Sequence, residues 1–380
     1  SRSGSKVRDF RAGFLIIAAA SFFFFLNFSE LMLLPKYIVH LGLSPADIGL
    51  IMGSFSVTVV IALPLVGIIS QRLSRKHVFI AGAAMLCLAT PFYALVREMG
   101  PLVFALRVVQ GIGFSSAFGI LGALVFDIAE PDSRRYFLGV LTAVNISTHA
   151  IGPAIGEYAI HAWGYPLLFY TAAFFGLFSV IAGLFLPDRS SAEQSSPFPL
   201  RQGTPFMASS LMLGVVFGSL AVFVPPFLLT RGIDNSGLFF VSFVAGSLMV
   251  WSFLHRPLKK IGDARAWAIS LALMLAFPLG IPFLDGRITL AVLALIFGLG
   301  YGYLYPTLNA YLLDVFPGMR SLANSLFVWA FNIGMLFASL GFGAVSETWG
   351  YERAFLVSGI LGLSMLGLIA KLQNRQPSVG

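Results

Sequence analysis

The sequence predicts an all-α membrane protein: twelve transmembrane helices in two pseudo-symmetric six-helix bundles. Three observations carry that prediction. Of 380 residues, 58% are hydrophobic and only 11% charged, against roughly 25% charged in soluble domains. Apolar stretches longer than about 18 residues recur along the chain, each long enough to cross a bilayer core of about 30 Å. The chain also repeats itself. Trp163-Gly164-Tyr165 returns 186 residues later as Trp349-Gly350-Tyr351. Gly111 and Gly113 are matched by Gly298 and Gly300, and Asp127 by Asp314, at a spacing of 187. Pro35 and Gly42 are matched by Pro225 and Gly232 at 190.

The elements follow in order. Residues 1–12 form a tail with four cations, and the first bundle occupies 13–186. Its first two spans, 13–36 and 46–70, lead into a loop holding Arg72, Arg75 and Lys76. The next two, 77–96 and 101–127, precede Arg134 and Arg135, and spans 137–160 and 165–186 complete the bundle. Residues 187–204 are polar and turn-rich, with Asp188-Arg189-Ser190-Ser191 and two later prolines, and read as a linker between halves. The second bundle, 205–372, holds spans 205–229, 237–254, 265–284, 288–315, 322–346 and 353–372, and residues 373–380 form a tail. No cleavable signal peptide is expected, because Gly13 to Leu34 is too long for an h-region.

The net charge of +8 is a topological signal rather than a nucleic-acid footprint. With both termini cytoplasmic, 18 of the 24 Lys and Arg residues fall on the inner side. Five fall outside: Lys36, Arg97, Arg231, Arg287 and Arg353. That asymmetry is the positive-inside rule. No catalytic constellation is present, so no enzyme is expected, and no cofactor. There is no Gly-x-x-x-x-Gly-Lys loop for ATP, a single cysteine excludes an intrachain disulfide, and scattered histidines offer no metal site. Two related halves with parallel topology are the architecture of secondary transporters.

Four motifs sharpen this reading. Residues Gly67-Ile68-Ile69-Ser70-Gln71-Arg72-Leu73-Ser74-Arg75-Lys76 resemble the signature loop of the major facilitator superfamily, with Gln71 and Ser74 in place of its usual Asp and Gly. Arg107-Val108-Val109-Gln110-Gly111 resembles the family's Arg-x-x-Gln-Gly motif, and the stretch from Asp127 to Arg134 resembles its fourth-span ending. Gly152-Pro153-Ala154-Ile155-Gly156 is similar to the Gly-Pro-x-x-Gly motif of proton-driven exporters. The resemblance implies alternating access around a midplane site, with spans one and four lining the cavity. It also implies an inner latch in which Gly67 permits close helix contact, and Arg72, Arg75 and Lys76 lie near Asp127. Gly152 and Pro153 are expected to kink the fifth span.

Ionisable groups deep in the spans are candidates for function, since burying charge in hydrocarbon is costly. Glu30 and Arg107 fall roughly 8–9 Å outward of the midplane at 1.5 Å per residue. They are expected to pair and to carry proton coupling, Arg107 setting the affinity of Glu30 for its proton. Asn27, Gln110, His149, Tyr301, Tyr305 and Asn309 are expected on the cavity wall. Glu157 is expected to reach water at the outer end of its span. The implied function is proton-coupled export of a small lipophilic or weakly cationic compound. Transport of sugars or lysolipids on the same scaffold is one alternative, and a non-transporting sensor or scaffold is another. The expected partners are a small-molecule substrate, protons and the lipid bilayer, with no nucleic acid. The expected setting is a monomer in the bacterial inner membrane.

Overall fold

In hydrocarbon every backbone N–H and C=O must bond within the protein, which leaves a spanning segment little choice but a helix. The computed structural model describes residues 2–70, 73–128, 134–188, 200–316 and 319–373. Twelve of its helices are long and apolar enough to cross a membrane. They are α1 (Ala12–His40), α2 (Pro45–Ile69), α3 (Arg75–Leu95), α4 (Pro101–Val125), α5 (Phe137–Trp163) and α6 (Tyr165–Leu184). The second set is α7 (Arg201–Thr230), α8 (Gly237–Lys260), α9 (Asp263–Phe283), α10 (Arg287–Val315), α11 (Leu322–Trp349) and α12 (Tyr351–Leu372). Each falls on an expected span. The first runs on to His40 and the eighth to Lys260, a few residues beyond expectation.

The chain divides into two compact units, Ser1–Tyr37 with Val57–Glu193, and Ile38–Ser56 with Gln194–Gly380. The sequence echoes have structural causes. Gly164 and Gly350 adopt φ of 82° and 83°, a left-handed conformation that only glycine reaches cheaply. Each ends one helix, exposes the preceding Trp163 or Trp349, and starts the next helix at a tyrosine. Tyr37 packs on Tyr165 and Phe169 with ring centroids 5.1 Å apart in both cases. In the second unit, Phe227 packs on Tyr351 and Phe355 at 6.2 and 5.4 Å. Pro35 has a local effect. It has no N–H for the carbonyl of Leu31, so the N–H of Leu34 takes that carbonyl in a 3₁₀ turn over Leu31–Leu33. Glu30 stands immediately before this turn.

Small residues let the helices close up. A Cβ at Gly113 would stand 2.7 Å from the carbonyl oxygen of Gly82, and one at Gly82 2.6 Å from that of Gly113. The repeat places Gly300 against the carbonyl of Ser270 in the same way. No described residue lies within 4 Å of a Cβ placed at Gly67, so the close contact expected there is not made. Pro153 stands inside a helix that runs unbroken from Arg134 to Trp163.

Replacing Gly113 by Val therefore forces backbone apart, at about 1–3 kcal/mol. Gly122, with open space around it, is the control. Thermal unfolding in detergent should show a lowered Tm for Gly113→Val and little change for Gly122→Val. Equal losses in the two variants would contradict this packing.

Candidate functional site

Three clusters of buried polar groups in the first unit hold the ionisable residues expected at the site. The first is built around Glu30, which has no exposed surface. Its Oε2 accepts a hydrogen bond of 2.7 Å from the Thr171 hydroxyl on α6, while Oε1 has no hydrogen-bond partner. Two glycines of α5 make room for this meeting of α1, α5 and α6. A Cβ at Gly152 would stand 2.7 Å from Ser29 Cβ and 2.9 Å from the Glu30 backbone nitrogen. One at Gly156 would stand 2.8 Å from Leu33 Cδ1 and 3.9 Å from Glu30 Cγ. The motif residues expected to shape α5 thus form the notch that holds the carboxyl group.

The second cluster holds Arg107. Its Nη1 donates to Gln110 Oε1 at 3.2 Å, and the Tyr93 hydroxyl donates to the same oxygen at 2.6 Å. Among the described residues no ion pair joins Arg107 to Glu30. Each has a different partner, Thr171 for Glu30 and Gln110 for Arg107. Gln110 is wholly buried, and its Nε2 has no partner. Asn27 is wholly buried too, its Nδ2 donating to the Ala172 carbonyl at 2.7 Å. Both therefore knit helices together where a cavity wall had been expected. His149 is half-buried, with Nδ1 3.2 Å from the Asn145 carbonyl oxygen and its ring 6.5 Å from Phe25.

The third cluster was not foreseen. Glu157 does not reach water: it is 2% exposed and pairs with Lys36 at 2.7 Å. His161 Nε2 lies 3.8 Å from the same carboxylate oxygen. Lys36, counted with the outer-loop cations, is in fact 3% exposed within α1. The usable signal was depth, since both residues fall near the outer ends of spans one and five.

At the inner edge, Arg75 donates from Nη1 to the Ala123 carbonyl at 3.4 Å, a cation near the negative end of a helix. Ser74 donates to Asp188. Lys76 makes no hydrogen bond or ion pair with a described residue. Arg72 and the side chain of Asp127 lie outside the described residues. In the second unit, Tyr301 and Tyr305 belong to an aromatic stack. Phe217 and Tyr301 lie 4.9 Å apart, Tyr301 and Tyr305 5.6 Å, and Tyr305 and Phe331 5.2 Å. Asn309 donates to Asn324 Oδ1 at 2.7 Å, leaving its own Oδ1 without a partner.

The repeat shows which polar groups packing does not require. At the spacings of 190, 187 and 186, Glu30 corresponds to Leu220 and Asn27 to Phe217. Arg107 and Gln110 correspond to Ala294 and Phe297, and Thr171 to Val357. Every counterpart is apolar. At those sequence spacings the second half carries apolar residues, beside a buried polar pair of its own, Ser219 with Ser358 at 2.7 Å.

The Major Facilitator Superfamily matches over residues 13–288 and 258–379, and the chain belongs to this family of membrane transporters. Among curated relatives, the staphylopine export protein of Staphylococcus aureus is 23% identical over 347 residues, 84% of this chain and 86% of its own. The quinolone resistance protein NorA of the same species is 20% identical, over 90% of this chain and 91% of its own. Among solved structures, a mutant of the nucleoside transporter NupG superposes with a TM-score of 0.79 at 16% identity, over 94% of this chain and 99% of that one. A bacterial homologue of the human lysosomal transporter Spinster superposes at 0.75 with 15% identity, over 97% and 99%. These relatives are transporters rather than enzymes, and the protein is an integral membrane transporter.

The buried pair yields a prediction. Lys36→Met leaves the Glu157 carboxylate buried without its ammonium partner, which typically costs about 3–5 kcal/mol. The double variant Lys36→Met/Glu157→Gln should recover part of that loss in detergent thermal melts. A double variant less stable than Lys36→Met would show that the pair is not what holds Glu157.

Proposed function

We propose that the protein is a proton-coupled exporter of small lipophilic or weakly cationic compounds, working by alternating access of its two halves. The observation that carries this reading is Glu30: a fully buried carboxyl with one hydrogen bond, one unpartnered oxygen and no ion pair among the described residues. Charge at such a place costs free energy that a bound proton removes. A proton that enters and leaves there changes the charge of α1. The apolar counterpart Leu220 supports a role in coupling over one in packing. Export is supported by relatives whose names describe staphylopine export and quinolone resistance. The scarcity of buried charge in the spans favours neutral or weakly cationic substrates over strongly ionic ones. Aromatic rings of α7, α10 and α11 around Tyr301 and Tyr305 offer apolar surface suited to such compounds. The bacterial inner membrane, with both termini cytoplasmic, fits the distribution of Lys and Arg.

The test uses purified protein in liposomes with an imposed pH gradient and a panel of lipophilic cationic dyes. The parent should move at least one dye under the gradient. Glu30→Gln, a fixed mimic of the protonated form, should bind that dye but lose gradient-driven transport by at least tenfold. Gradient-driven transport by Glu30→Gln at the parent rate would refute the role given to Glu30.

A further inference from the structure

The Thr171 hydroxyl has more claims on it than one hydrogen can meet. Its Oγ1 lies 2.7 Å from Glu30 Oε2, 2.9 Å from the Leu167 carbonyl oxygen and 3.0 Å from that of Leu168. A hydroxyl has a single hydrogen to donate and two lone pairs to accept with. With Glu30 ionised, the best acceptor is the carboxylate, because hydrogen bonds to a charged group are roughly twice as strong as neutral ones. With Glu30 protonated, the position reverses. The new O–H is a buried donor that needs an acceptor, and Oγ1 of Thr171, 2.7 Å from Oε2, is within reach. Thr171 then accepts from Glu30, and its own hydrogen turns to the Leu167 or Leu168 carbonyl of α6.

We propose that Thr171 is a positioning residue for proton coupling. Its hydroxyl switches donor for acceptor when Glu30 gains or loses its proton, and so passes the protonation state of α1 to the backbone of α6. This inference rests on the reading of Glu30 given above. The step balances: one proton joins the carboxylate, no covalent bond to Thr171 forms or breaks, and its O–H rotates between acceptors. Other titratable or charged groups on the helices around Glu30 are Cys87 and Tyr93 on α3, Arg107 on α4, His149, Glu157, Tyr158 and His161 on α5, and Tyr165 and Tyr170 on α6; Lys36, Tyr37 and His40 follow on α1 itself. None of them makes a hydrogen bond or ion pair with Glu30. A plain packing role does not account for the hydroxyl, because the repeat places Val357 at the same position of the second unit.

That counterpart also supplies the variant. Thr171→Val removes the hydroxyl, keeps the shape and installs the residue the second unit already carries. Thr171→Ser keeps the hydroxyl. Detergent stability is measured against pH for the parent, both variants, Glu30→Gln and Glu30→Gln/Thr171→Val. Parent and Glu30→Gln should differ in their pH dependence, since only the parent titrates at Glu30. Losing the charge-assisted bond harms the ionised form more than the neutral one. The pH-dependent step of Thr171→Val should therefore move up by about one pH unit, roughly tenfold in proton affinity. Thr171→Ser should stay near the parent, and Glu30→Gln/Thr171→Val should show no step. Should the Val variant not fold, Thr171→Ala carries the same comparison. A step in the Val variant coincident with the parent's would overturn the role of Thr171 alone. Identical pH dependence in the parent and Glu30→Gln would overturn the reading of Glu30, and this inference with it.

Discussion

A carboxyl group is among the costliest things a membrane helix can bury in its ionised form, and Glu30 is a wholly buried one. Everything near Glu30 limits what that group can do. Gly152 and Gly156 bring α5 close enough to exclude other side chains. The 3₁₀ turn that precedes Pro35 begins at the next residue. Thr171 supplies one hydrogen bond and no charge. On the proposed reading, such a site has two states that differ by a proton. A transporter driven by a proton gradient requires such a pair of states.

The two halves act as each other's control. They share turn glycines, the ring contacts of Tyr37 and Phe227, and the small-residue contact at Gly113 and Gly300. They differ where the first half carries Glu30, Arg107, Gln110 and Thr171 and the second, at the repeat spacings, carries Leu220, Ala294, Phe297 and Val357. Shared features are therefore assigned to the scaffold, and the unshared polar ones to chemistry. The Lys36–Glu157 pair is likewise confined to the first unit, since its counterparts are Pro226 and Gly343.

Much of the fold was legible in the sequence because hydrocarbon permits so few solutions. Length and polarity alone located twelve spans, and the echo of Trp-Gly-Tyr marked the repeat. The pairings were less legible, for a physical reason. The rise per residue gives an expected depth, and on that ground Glu30 and Arg107 were expected to pair. Direction around the helix axis depends on packing, and there α1 turns Glu30 toward α5 and α6 while Arg107 turns to Gln110. Asn27 and Gln110 were polar and deep, as a cavity wall requires, but each satisfies a neighbouring helix instead. Thr171 passed unnoticed because a threonine in an apolar span has no signature of its own. Comparison with Val357 would have singled it out.

The claim on which the account stands is that Glu30 takes up and releases a proton in the folded protein. Infrared difference spectroscopy of the purified transporter across a pH jump measures this directly, through the carbonyl stretch of a protonated carboxyl group. The account predicts a titrating carboxylic acid band in the parent that is missing from Glu30→Gln. The same titrating bands in both proteins would contradict it.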